Sequence, residues 1–226
     1  MSMKKILLAS ILISAFTSTS YAGFGLETTR VIYSESSKNE GVVAFNTDKN
    51  RNYLLQSWIE DINGKVTSDF AVTPPLLKLR AEQKNTLQIT KVANINNNQE
   101  SLYWLNVKFV APSNENLENV LRYSMTNRIK LIHRPASLTE KDFDKSVVEL
   151  KWHSIGNNIK VKNTSPFYIN IAKLKVNGSE VTAPSYLAPR SDTAIDLPST
   201  IKNPAKVSLS YINDFGKNLE STFSVN

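Results

Sequence analysis

The stretch VLRYSMTNRIKLIHR, residues 120–134, decides how this chain reads. Leu121, Tyr123 and Met125 alternate with Arg122, Ser124 and Thr126. On an extended strand, successive side chains leave opposite faces, so three apolar groups project from one side and three polar ones from the other. Taken alone, that alternation serves equally a strand packed on its own core and a strand offered to another chain. Pro135 stops the run, and residues 139–145 (TEKDFDK) are polar without alternation.

Outward from this stretch the chain continues in the same period. Short runs rich in Val, Ile, Tyr, Phe and Leu read as strands at 30–33, 41–46, 52–60, 86–92, 102–110 and 120–132. A second set follows at 147–152, 158–161, 167–176, 207–212 and 220–225. Turn pairs such as Asn63-Gly64, Gly156-Asn157 and Asn177-Gly178 separate them. No helical period of useful length is present, and Phe143 with its charged neighbours has room for one turn at most. The break at 135–145 divides the strands into two sets. The expected organisation is therefore all-β, with one sandwich in residues 23–140 and another in 141–226.

The N-terminus reads as an export signal. Lys4 and Lys5 precede an eleven-residue run from Ile6 to Phe16 with only Ser10 and Ser14 polar, and Ser20-Tyr21-Ala22 supplies small residues before a cut after Ala22. The run is short of the roughly 20 residues needed to cross a bilayer. Removal of residues 1–22 leaves 25 Lys and Arg against 20 acids, a net charge of +5. No basic run is interleaved with aromatics, so nucleic acid is not an expected partner. The absence of cysteine removes thiol nucleophiles, Cys-zinc sites and disulfides together. His133 and His153 lack metal-motif spacing, and no Gly-x-Ser-x-Gly elbow occurs. The expectation is an exported protein with no cofactor, no metal and no catalytic residues, hence not an enzyme.

Seven landmarks then appear in order: TRVIY (29–33), QSWI (56–59), FAVTPPL (70–76), LYWLNV (102–107), NRIKLIHRP (127–135), NTSPFY (163–168) and YINDFG (211–216). In this order, behind a signal peptide, they resemble the periplasmic pilus (fimbrial) chaperones, the PapD-like family, over nearly the whole exported chain. The resemblance implies two immunoglobulin-like β-sandwich domains set in an L. It also implies a periplasmic chaperone that folds, caps and delivers fimbrial subunits to an outer-membrane usher by donor-strand complementation. In that role residues 120–134 hold the lent strand, and Leu121, Tyr123 and Met125 fill the groove left by the subunit's missing strand. Arg30 and Lys130 match two cleft cations that hold the subunit's terminal carboxylate. Glu100, Arg134 and Asp214 match charges that link the two domains. Lys130 has the opposite parity from Leu121, Tyr123 and Met125, so a regular strand puts it on the other face unless a bulge intervenes.

The chain departs from the family pattern at two places. Lys78 stands where an arginine is usual, which keeps the charge but loses the planar fork, and Glu82-Gln83 stands where a Pro-Gly turn is usual. The short connection 111–119 resembles the short-loop branch, which serves rod-like pili, and the lack of cysteine agrees. The alternative class is a secreted β-sandwich fimbrial subunit or adhesin. Such a chain would have one incomplete sandwich behind an N-terminal extension of alternating apolar residues, whereas 23–29 is short and strands for two sandwiches follow. An unpaired apolar edge also leaves self-association of the unloaded protein open.

Overall fold

The computed structural model describes residues 23–95, 98–112, 123–156, 158–199, 201 and 203–225. The first nine strands are β1 (Phe24–Leu26), β2 (Arg30–Ser34), β3 (Glu40–Asn46), β4 (Tyr53–Glu60), β5 (Phe70–Thr73), β6 (Leu76–Leu79), β7 (Lys84–Lys91), β8 (Ser101–Val110) and β9 (Ser124–Arg134). They form two sheets, ordered β1-β3-β7-β5 and β2-β9-β8-β4-β6. Alternation decides which side faces in: along β4, Tyr53, Leu55, Ser57 and Ile59 are buried while Leu54 and Gln56 are exposed. Between the sheets, Leu55, Leu87, Leu105, Phe109 and Leu131 are wholly enclosed. Burial of each such side chain contributes about 1.5–3 kcal/mol, and nothing covalent supplements it, because the chain has no cysteine.

The second sandwich opens with α1 (Glu140–Val148) and continues with β10 (Lys151–Ile155), β11 (Asn158–Asn163), β12 (Ile169–Val176), β13 (Ser179–Val181), β14 (Tyr186–Leu187), β15 (Ser191–Ile195), β16 (Lys206–Ile212) and β17 (Asn218–Ser224). One sheet is β10-β11-β15, and the other is β13-β12-β16-β17 with β14 also on β12. Trp152, Ile159, Val161, Phe167, Ile169, Val207 and Leu209 build its core. Asn177-Gly178 closes the β12–β13 hairpin with both residues at positive φ, 49° and 86°, the geometry that matches a two-residue turn to the twist of the strands.

Two expectations are corrected here. The polar segment after Pro135 forms nine residues of helix, not one turn, and takes 147–148 from the strand expected at 147–152. Its start is fixed by Asp142, whose carboxylate accepts from both the backbone N–H and the hydroxyl of Thr139. Phe143 and Val147, four apart, then bury one face in the second core. The structure also adds the short strands β1, β5, β6, β13, β14 and β15, which lie outside the runs expected to be strands. Each has two to five residues, and β15 (SDTAI) is held by its ladder to β11 and not by an apolar pattern of its own.

The long strand β9 organises the junction. It pairs antiparallel with β8 from Ser124 to His133, but parallel with β2 only from Lys130 to Arg134. Its outer edge from Ser124 to Ile129 therefore carries no strand among the described residues. The register against β8 is unbroken, so no bulge shifts the parity. Leu131 and His133 point into the first sandwich, whereas Lys130, Ile132 and Arg134 point toward the second. Ile132 joins Leu102 and Tyr168 in a small apolar cluster bridging the two sandwiches.

Candidate functional site

Arg30 and Lys130 lie a hundred residues apart in sequence and are direct register partners in the β2–β9 ladder. Like charges on adjacent strands repel, so the fold bears a cost at this position. Both face a cavity of about 360 Å³ between the sandwiches, lined also by Trp104, Arg128, Asn170 and Ile212. Arg30 is buried, and its Nη1 donates to the Ile212 carbonyl at 3.1 Å. Lys130 donates to Asn170 Oδ1 at 2.9 Å and to the Ser185 carbonyl at 2.7 Å, with its ammonium 5.3 Å from the Tyr186 ring. Burial, reinforced by the Arg30 charge, brings the Lys130 pKa down to about 8. Burial also lowers that of Arg30, against the opposing pull of Asp214. Among the described residues neither cation forms an ion pair. Two half-desolvated cations held by neutral acceptors make a site whose chemistry suits an anion, a carboxylate in particular.

The wall beside them is already committed. Arg128 stacks on Trp104 at 4.3 Å and donates to Glu60 at 3.1 Å, so its charge is balanced locally.

The proposed donor residues lie on the other face of the same strand. Met125 is 50% exposed and Tyr123, just before β9, is 47% exposed. Leu121 falls outside the described residues, as does most of the 111–119 connection. The open edge of β9 thus runs beside two large exposed apolar groups, and the cations begin where β2 takes that edge over.

Glu100, Arg134 and Asp214 do meet. Arg134 Nε donates to Glu100 at 2.6 Å, its two terminal nitrogens both donate to Asp214 (Nη2 at 2.9 Å), and the Tyr168 N–H donates to Glu100 at 2.7 Å. Glu100 and Arg134 are buried, with Phe167 and Phe143 under the guanidinium. Burial pushes the Glu100 carboxyl up to about 7 against the pull of Arg134. For Arg134, burial acts to lower the pKa, but the bonds to Asp214 and Glu100 outweigh it and leave it raised.

Asn170, Ser185 and Tyr186 join the site without a motif in the sequence to mark them. The available signal was Asn170, a polar residue inside the apolar run FYINI that ends up 5% exposed. His133 is a core residue: it is wholly buried, with Nε2 bonded to Glu35, which also pairs with Lys91. His153 lies exposed on β10 opposite Lys160. Among the described residues no three His, Asp or Glu side chains are placed to hold a metal.

Comparison with known proteins bears on the same elements. Residues 23–139 match the family described as pili and flagellar-assembly chaperone, PapD N-terminal domain, and residues 146–223 match pili assembly chaperone PapD, C-terminal domain. The probable fimbrial chaperone LpfB of Escherichia coli O157:H7 is 34% identical over 223 residues, covering 96% of each chain. The chaperone protein FimC of Escherichia coli K12 is 33% identical over 199 residues, 86% of this chain and 81% of FimC. Among solved structures, the Salmonella enterica SafB chaperone in complex with the SafA pilin superposes with a TM-score of 0.79 at 28% identity, covering 92% of this chain and 98% of that one. The Escherichia coli chaperone DraB gives 0.77 at 30% identity over 90% of this chain and 97% of its own.

Proposed function

The chain belongs to the pilus-assembly chaperone family, and on that premise we propose that it is a periplasmic chaperone that lends β9 to incomplete fimbrial subunits. The observation that carries this reading is the open outer edge of β9 from Ser124 to Ile129, ending at two cations that form no ion pair among the described residues. An open edge offers backbone N–H and C=O groups that give affinity, while the alternating side chains give specificity. Tyr123 and Met125, with Leu121 ahead of them, enter the subunit's groove. Arg30 and Lys130 hold the subunit's terminal carboxylate. Fixing one chain end also fixes register, since a slip by one residue would turn every groove-filling side chain to the wrong face.

In this reading residues 1–22 are removed after Ala22 on export, and residues 23–140 and 141–226 act as two domains whose angle is held by Glu100, Arg134 and Asp214. Delivery is to an outer-membrane usher. The function is binding without catalysis. A fimbrial subunit or adhesin is the less favoured class, because relatives named as chaperones match along nearly the full length.

Co-expression of the chain with its subunit should give a one-to-one periplasmic complex. Arg30→Ala and Lys130→Ala should each abolish that complex while the free protein melts as the wild type does. Normal complex from both variants would sink the anchor assignment.

A further inference from the structure

We propose that Asn170 is a positioning residue that holds the Lys130 ammonium against the second sandwich, so that an incoming carboxylate must compete with it. The inference rests on the reading of Arg30 and Lys130 as the carboxylate anchor.

The geometry is a pair bonded to a pair. Arg30 and Lys130 are register partners in the first sandwich, and Ile212 and Asn170 are register partners in the second. Arg30 donates to the Ile212 carbonyl and Lys130 to the Asn170 side chain, with Ser185, next to the β14 residue that pairs with Asn170, as a further acceptor. Both cations therefore tether one sandwich to the other. All three acceptors are neutral. A carboxylate brings a full negative charge to the ammonium where the amide brings only a dipole, so it displaces Asn170 from Lys130. Its net affinity is reduced by the bond it breaks. Coupling of this kind is reciprocal: whatever the Lys130–Asn170 bond contributes to joining the sandwiches, it subtracts from carboxylate affinity. Asn170 sets how tightly the anchor is held in reserve, and an aspartate at the same point would occupy it permanently.

The test titrates the full exported chain with acetyl-triglycine carrying a free terminal carboxylate, and with the same peptide amidated. The readout is the chemical-shift change of the backbone amides of β2 and β9 beside the cleft, which every variant retains. The wild type should bind the acid and not the amide. Asn170→Ala, which removes the competing acceptor, should tighten acid binding about tenfold or more, the equivalent of one hydrogen bond from a charged donor. Asn170→Ser, which withdraws the acceptor but stays polar, should move affinity in the same direction. Asn170→Asp should weaken it tenfold or more. A loosened fold does not produce opposite effects from Ala and Asp. Unchanged or weaker binding by Asn170→Ala and Asn170→Ser would overturn the inference while leaving the anchor intact. If Lys130→Ala still distinguishes acid from amide as the wild type does, the anchor reading itself fails.

Discussion

Lys130 is partly buried and faces Arg30, and both conditions act on its proton. Its pKa falls to about 8 from the 10.5 of a free lysine, chiefly through burial and then through the guanidinium. For folding, the charged form is penalised below pH 8 and the penalty is relieved as pH rises from 8 to 10.5. For carboxylate binding the sign reverses. The bound carboxylate favours the ammonium and raises its pKa, so the affinity carried by Lys130 is fully present below about pH 8 and is lost as pH rises past it. Capture measured from pH 6.5 to 9.5 should weaken through the upper part of this range, and Lys130→Arg should remove the dependence. A flat profile in the wild type would mean that the ammonium does not touch the carboxylate. At this scale the sequence is informative about residue types and mute about neighbours. Arg30 and Lys130 are a hundred positions apart, and only the parallel register of β2 and β9 sets them side by side. Asn170 went unnoticed because a lone polar residue in an apolar run gives no indication of what it faces.

The strand β9 was legible because its period is two and its landmarks are dense, and its ends were not. Its apolar side chains near the start are exposed, whereas Leu131, Ile132, His133 and Arg134 are buried. Composition does not reveal that change, which comes from β2 joining the sheet only at Lys130. The helix was underestimated because its apolar face is just Phe143 and Val147, and the polar remainder resembled a linker. Lys130 and Met125 share a regular strand and point to opposite faces, so one element presents a charged group to the cleft and apolar groups away from it. This arrangement makes the two functions separable. Met125→Asp places an unpaired carboxylate where an apolar groove is proposed to close, which costs on the order of 2 kcal/mol or more in capture. Met125 is half exposed in the free protein, so the melting curve should stay within about 0.5 kcal/mol of the wild type. The acid-against-amide discrimination at Lys130 should also persist. Undiminished subunit capture would show that this face of β9 is not the one donated.

The two sandwiches were separable in sequence, but their junction was not, because its parts come from four different strands or the residues beside them. Leu102 on β8 and Ile132 on β9 meet Tyr168 just before β12, and beside them Arg134 on β9 joins Glu100, just before β8, to Asp214, just after β16. The cleft depends on this junction, since Arg30 and Lys130 on one side and Ile212, Asn170 and Ser185 on the other face each other at a fixed offset only while the sandwiches keep one orientation. A buried ion network is a poor source of stability, because desolvation nearly cancels the attraction, but removal of one member leaves a charge stranded. Arg134→Ala should therefore cost about 3–5 kcal/mol, with Glu100 buried beside no cation. The triple change Glu100→Gln, Arg134→Met and Asp214→Asn removes the charges together and should restore most of that stability. It also removes the planar fork proposed to fix the angle, so residual dipolar couplings should report a broadened interdomain orientation and subunit capture should fall although both proposed anchor cations remain. A triple variant several kcal/mol less stable than the wild type, yet still holding its orientation, would mark the network as a stability element. One that keeps stability, orientation and capture together would move the control of the angle to the Leu102–Ile132–Tyr168 cluster.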